Sequence, residues 1–351
     1  MSVEILDHEA AYKWVDGTPA KTKPHLLLGN GFSVAYDKDR FSYGALLEHA
    51  RDRHRVSSMA ESFFTRFNTC DFEVVIRKMM DAATTLEMLD ASRYATEISV
   101  LRKESDALKE LLATTLAELH PERPNRISDE AYSRVVGFIN PHSKVFTANY
   151  DLLLYWALMR AGEVGGFVES DDGFRGLEQG AEYVIWDYLN PHNQTIYYLH
   201  GALHLYRDIA SAQLQKLTWV RTDVALIDQI RFQLSQNNFP LIVTEGTSTE
   251  KLAKIQTSDY LSKGLRSLAA VGGGLLAYGL SFGENDAHIT SAIVKSNIKR
   301  VAVSIFGDPS SPANRQTVKA ASRLVSDRKS VKPNVSLDVA FYDAESAQLW
   351  K

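Results

Sequence analysis

Leu26-Leu27-Leu28-Gly29-Asn30-Gly31-Phe32-Ser33 is the stretch whose reading decides the fold. Three consecutive apolar residues behind Pro24 fit a central strand buried on both faces, as strands of parallel sheets are. Gly29 ends that strand, and glycines at 29 and 31 let the backbone turn tightly and approach a ligand without a Cβ in the way. Amides opening the following helix would face an anion. Val34 stands where a dinucleotide fingerprint has its third glycine, so an ordinary strand-to-helix turn accounts for the loop equally well.

Working outward, four more apolar runs end in small or polar residues. Val145-Phe146-Thr147 leads into Ala148-Asn149-Tyr150-Asp151, and Ile196-Tyr197-Tyr198-Leu199 into His200-Gly201. Leu275-Leu276-Ala277-Tyr278 leads into Gly279-Leu280-Ser281, and Val301-Ala302-Val303-Ser304-Ile305 into Gly307-Asp308. Residues 240–244 read as a further strand, and residues 337–342 as an edge strand. Ser258-Asp259 offers an N-cap for a helix through Leu261, Leu265 and Leu268. Strands alternating with helices predict an α/β fold with a doubly wound, mostly parallel, Rossmann-like sheet.

Residues 63–119 read as helical, with Leu101, Leu108, Leu111, Leu112, Leu116 and Leu119 on one face and charged residues on the others. Residues 51–139 are therefore expected to form a helical insertion. Residues 24–50 and 140–310 form the core, and 311–351 a strand and helix extension, within one domain over 1–351.

Bulk properties exclude several classes. A net charge of −4 over 351 residues gives no reason to expect direct nucleic-acid binding. One cysteine, Cys70, builds neither an intrachain disulfide nor a four-cysteine zinc site. No apolar stretch reaches the roughly 18 residues that span a bilayer, and no signal core opens the chain, so no membrane partner and a cytoplasmic location are expected.

The strand-end residues carry the candidate chemistry. Asn149 and Asp151, two apart, could project from one face of an extended segment and grip an amide and ribose hydroxyls, although a helix cap near Leu152 is an equally simple role. His200 at a strand end could accept a proton from a hydroxyl or a water, or be a packed histidine. His204 lies four residues on, but neither histidine has the neighbouring glutamate of a zinc helix, and no metal is expected. Asp286 and His288 read as capping or packing residues. Glu245-Gly246-Thr247-Ser248 is a polar loop of similar but weaker promise.

Gly-x-Gly-Phe-Ser, Thr-x-Asn-Tyr-Asp, Leu-His-Gly and the later Gly-x-Ser, in this order from about residue 24 to 310, resemble the core of the sirtuin superfamily, and most closely bacterial sirtuin-like proteins that lack the zinc ribbon. The resemblance implies an enzyme that hydrolyses NAD, taken as substrate, to nicotinamide and ADP-ribose. It places Gly29, Gly31 and Ser33 around the phosphates, with Asn30, Phe32 and Thr147 also among the NAD-binding residues. Asn149 would hold the ribose and water, Asp151 the carboxamide, and His200 would be the base. Gly279 and Ser281 would contact the phosphate or adenosine side. It further implies antiviral defence, a homo-oligomer and a co-encoded activator protein. Deacylation or ADP-ribosyl transfer is disfavoured without the ribbon. A non-catalytic sensor of NAD or an ADP-ribose-type ligand is the alternative.

Overall fold

The computed structural model describes residues 4–18, 22–164, 170–176, 183–187, 194–208, 211–218, 224–244 and 246–351. Glu245, Gly165, Gly166 and Tyr188, named or spanned by the expectations above, lie outside them. Leu26 and Leu28 pack into one hydrophobic core and Leu27 into another on the opposite face, so the wholly apolar run is buried on both sides. This is the central strand the sequence predicts.

The strands in chain order are β1 (Ile5–Leu6), β2 (His25–Leu28), β3 (Val145–Thr147), β4 (Phe174–Gly176), β5 (Tyr183–Trp186), β6 (Ile196–Tyr198), β7 (Leu205–Arg207), β8 (Leu214–Leu217), β9 (Gly272–Tyr278), β10 (Asn297–Ile305) and β11 (Asp338–Asp343). Seven of them form one sheet in the order β1-β11-β10-β9-β2-β3-β6, and every pairing is parallel. After β1 at one edge, the chain enters the middle of the sheet at β2, winds outward through β3 to β6, then returns to β9 on the other side of β2. The order therefore reverses between β2 and β9. Apart from β1 this is the strand order of a doubly wound dinucleotide-binding fold, whose ligand crevice lies at the reversal.

Two expectations are corrected. Residues 240–244 do not form a strand: Ile242 makes an isolated bridge to Gly201, and no ladder extends from it. β11 is not an edge, because the two-residue β1 pairs along it. A strand that short carries no periodicity in sequence, so it could not be anticipated. A small antiparallel sheet, β4-β5-β8-β7, accompanies the main one.

The helical block is broken where the sequence turns polar. Helix Ser58–Arg66 ends before Asn68, which adopts φ of 46°. Asp71 then caps helix Phe72–Asp90 by accepting from the Glu73 and Val74 amides, satisfying donors that the first turn leaves without intrahelical partners. Helix Ala95–Leu119 packs back on it, and helix Asp129–Ile139 leads to β3. Their apolar faces, including Phe72, Ile76, Leu108, Leu112 and Val135, join the same core as Leu26 and Leu28. The block thus covers one face of the sheet and reaches the carboxyl ends of its strands.

Candidate active site

Gly29, Gly31 and Gly279 meet where the strand order reverses. The Gly31 amide donates to the Gly279 carbonyl at 2.9 Å, and the Gly29 amide to the Tyr278 carbonyl at 2.9 Å. A Cβ on Gly31 would lie 2.5 Å from the Gly279 Cα, and one on Gly29 would lie 2.5 Å from the Gly279 oxygen. The missing side chains are used by two loop backbones touching each other.

Beside this contact a cavity of about 520 Å³ opens. Asn30, Asn149, Asp151, His200, Gly279 and Ser281 line it, as the sequence suggests. Gly29, Gly31, Phe32, Ser33 and Thr147 do not. Phe32 is buried against Trp350, whose indole donates to the Phe32 carbonyl at 3.0 Å. Thr147 Oγ1 accepts from the Asn149 amide at 3.1 Å.

Ser33 links the two residues of the Asn-Tyr-Asp segment. Its hydroxyl donates to Asp151 Oδ2 at 2.5 Å and accepts from Asn149 Nδ2 at 2.9 Å. Because the Ser33 proton goes to Asp151, the Asn149 amide orientation is fixed, with Nδ2 toward Ser33. Its Oδ1 is buried and has no hydrogen-bond partner among the described residues. Asp151 Oδ1 accepts from the Leu153 amide at 2.9 Å, satisfying the first free amide of the helix whose N-cap position is Leu152. Burial raises its pKa, while the Ser33 hydroxyl and the backbone amides pull it down. Asn149 is the member of the pair with hydrogen-bonding capacity to spare.

His200 is fully enclosed, and burial, with Lys251 nearby, lowers its pKa to about 3. It is a neutral imidazole at physiological pH. Its Nε2 lies 2.8 Å from Nε2 of His288, and it also hydrogen-bonds to the backbone of Ala148. His204 takes no part. It packs between Tyr155 and Tyr198, at ring separations of 4.9 and 5.4 Å, away from any helix that would pair it with His200.

The opposite wall comes from residues the sequence did not single out. Asp71 and Glu73 project from the start of helix Phe72–Asp90, with Arg77 one turn on. Glu73 Oε1 accepts from the Tyr150 hydroxyl at 2.6 Å, and its Oε2 from the Lys251 ammonium at 2.6 Å. Lys251 is wholly buried and also donates to Asp286 Oδ1 at 3.0 Å, a second carboxylate of the cavity wall. Asp71 is pushed up to about 6 by burial and by Glu73, against the pull of the Glu73 and Val74 amides. The polar break Asn68-Thr69-Cys70-Asp71 ahead of an apolar helix is the one signal that could have marked this wall.

Residues 26–350, nearly the whole chain, match a single family. The chain belongs to DUF4917, a domain of unknown function. No curated protein matches it. DUF4917 is a different family from the sirtuins, and no sirtuin family matches, so the resemblance drawn from the four short motifs is overturned. The physical reason is visible in the fold: small and polar residues at the ends of parallel strands are what a switch-point crevice requires, and the Gly29–Gly31–Gly279 contact accounts for these glycines of the chain by backbone packing. The expectations of antiviral defence, an activator and an oligomer came from that resemblance alone and lose their support. Among the described residues of this DUF4917 chain, no helix is long and apolar enough to cross a membrane.

Proposed function

We propose that the switch-point cavity binds NAD and hydrolyses its nicotinamide–ribose bond, releasing nicotinamide and ADP-ribose. The observation that carries this reading is the pairing of a spare buried acceptor, Asn149 Oδ1, with a carboxylate-rich wall in one cavity at the strand-order reversal. The site is of a size usual for small-molecule and cofactor pockets.

The chemistry follows from charge. Nicotinamide in NAD is a cationic pyridinium and departs as a neutral molecule, so no acid is needed to protonate it. The ribose left behind becomes oxocarbenium-like, as in other glycoside cleavages. Fixed carboxylates at the wall, in a site of low polarisability, favour that developing positive charge. Asn149 Oδ1 accepts from a ribose hydroxyl or from the attacking water and so sets its line of approach. The phosphates face the other side, toward Asn30, the Gly279-Leu280-Ser281 loop and Arg77, whose Nε is buried without a partner among the described residues.

Both His200 nitrogens are engaged, so the proposal gives the base role to Asp71. A carboxyl near 6 is ionised at neutral pH yet basic enough to take a proton from water as it attacks. Because the base must be deprotonated, kcat/KM should rise with pH through about 6 and then level off. Asp71→Asn, which keeps a good N-cap residue, should flatten that limb and lower the plateau about 100-fold. A limb that survives in Asp71→Asn would exclude Asp71 as the base.

The primary test is incubation of the purified chain with NAD, with nicotinamide and ADP-ribose followed by chromatography. Release of both supports the reading. NAD bound in calorimetry without release would make the site a sensor. Neither binding nor release would remove NAD as its ligand.

A further inference from the structure

We propose that His200, His288 and Asp286 form a binding site for one divalent first-row transition ion at the edge of the cavity, against the expectation of a metal-free protein. One donor atom from each lies within 4.8 Å of the others. The two imidazole Nε2 atoms face each other at 2.8 Å, and an Asp286 oxygen is 3.9 Å from His200 Nε2. Two nitrogens on a tetrahedral zinc with bonds of about 2.0–2.1 Å are separated by about 3.3 Å. An opening of about 0.5 Å between the rings therefore admits the ion.

Each ligand has an outer partner of the kind that orients metal-binding side chains. His200 hydrogen-bonds to the Ala148 backbone and turns Nε2 inward. His288 Nδ1 lies 3.2 Å from Ser248 Oγ, which also accepts from the His288 amide at 2.8 Å. Asp286 is held by the buried Lys251 ammonium. With the His288 Nδ1 proton on Ser248, two lone pairs converge, and a positive centre between them satisfies both.

The surrounding charge fits a dication. Glu73 and Asp286 pair with the Lys251 ammonium, and with Asp71 they outnumber the two cations of this wall, Lys251 and Arg77. Two imidazoles and one carboxylate suit zinc, cobalt, nickel, manganese or iron rather than calcium or magnesium, which take oxygen ligands. Three protein ligands leave a further coordination position, the arrangement of catalytic rather than closed structural zinc sites. His200 and Asp286 border the cavity, so a water on the ion would be available to it.

Zinc is the probe. The intact chain, stripped with a chelator and checked for folding by circular dichroism, should bind one equivalent in calorimetry. His288→Gln, which changes a ligand outside the cavity lining, should weaken binding by more than about 100-fold, and Ser248→Ala by about 10-fold. The Nε2 resonances of His200 and His288 should shift together in nitrogen-15 spectra as zinc is added. Unchanged zinc stoichiometry and affinity in His288→Gln would overturn the site. So would an unshifted pair that keeps one shared proton across the 2.8 Å gap. The readout is independent of NAD: zinc uptake without NAD cleavage leaves this site standing and removes the hydrolase reading. Cleavage by stripped protein that takes up no zinc does the reverse.

Discussion

Asn149→Ala should lower kcat/KM for NAD cleavage by about 100- to 1000-fold while leaving the protein folded, the range found when one preorganised polar group is removed from a reacting centre. The structural cost is small. Ser33 loses one donor, the Asn149 Nδ2 bond at 2.9 Å, but keeps its own bond to Asp151. A single neutral hydrogen bond of this kind contributes about 1 kcal/mol. The functional cost is larger because Oδ1 is a buried acceptor with no partner among the described residues. Its capacity is therefore available to a ribose hydroxyl or a water. Ser33→Ala separates positioning from contact: it frees the Asn149 amide to rotate without removing it, and a loss of about 10-fold is expected. Initial rates by chromatography, with melting temperatures for each variant, provide the check. A fully active Asn149→Ala protein would dismiss the site assignment.

The residues of this site divide by how their neighbours in sequence relate to their neighbours in space. Asn149, His200 and Gly279 are legible because each follows an apolar run, and the end of a buried parallel strand is the crevice side of the sheet. The same local signal gave β2, β3, β6, β9 and β10, since burial on both faces leaves continuous apolar runs. What the glycines do was not legible. Gly29 and Gly31 look like a phosphate loop, and only the return of the chain to β9 brings Gly279 into the space their missing Cβ atoms leave.

The acidic wall was hidden for a related reason. Asp71 and Glu73 sit at a helix start, where an acidic residue is already explained by capping and by the helix dipole. Lys251 lies on a nine-residue helix, Ser248–Gln256, where a lysine ordinarily reads as solvent-facing. Nothing in either local pattern announces that the two meet across 178 positions of chain. His288 was read as packing. That reading holds for its backbone amide, which Ser248 accepts, but misses the ring, which meets His200 88 positions away.

That hidden wall gives the second large effect. Lys251→Met should destabilise the fold by about 3–5 kcal/mol, the cost of breaking a buried ion pair by removing one partner. Methionine fills the volume of the lysine stem, so the loss is electrostatic rather than a cavity. Glu73 Oε2 and Asp286 Oδ1 would lose their ammonium donor at 2.6 and 3.0 Å, the first in a buried setting and the second in a partly exposed one. The Tyr150 hydroxyl at 2.6 Å still donates to Glu73, which tempers the penalty on that carboxylate alone. Adding Glu73→Gln to Lys251→Met removes one of the orphaned charges and should restore part of the stability, a coupling visible in a double-mutant cycle of urea midpoints. A Lys251→Met protein as stable as the parent would mean that the ammonium is not the counterion of this wall. A divalent ion at His200, His288 and Asp286 would then have to supply the positive charge, and zinc added to the variant would raise its urea midpoint further than zinc added to the parent.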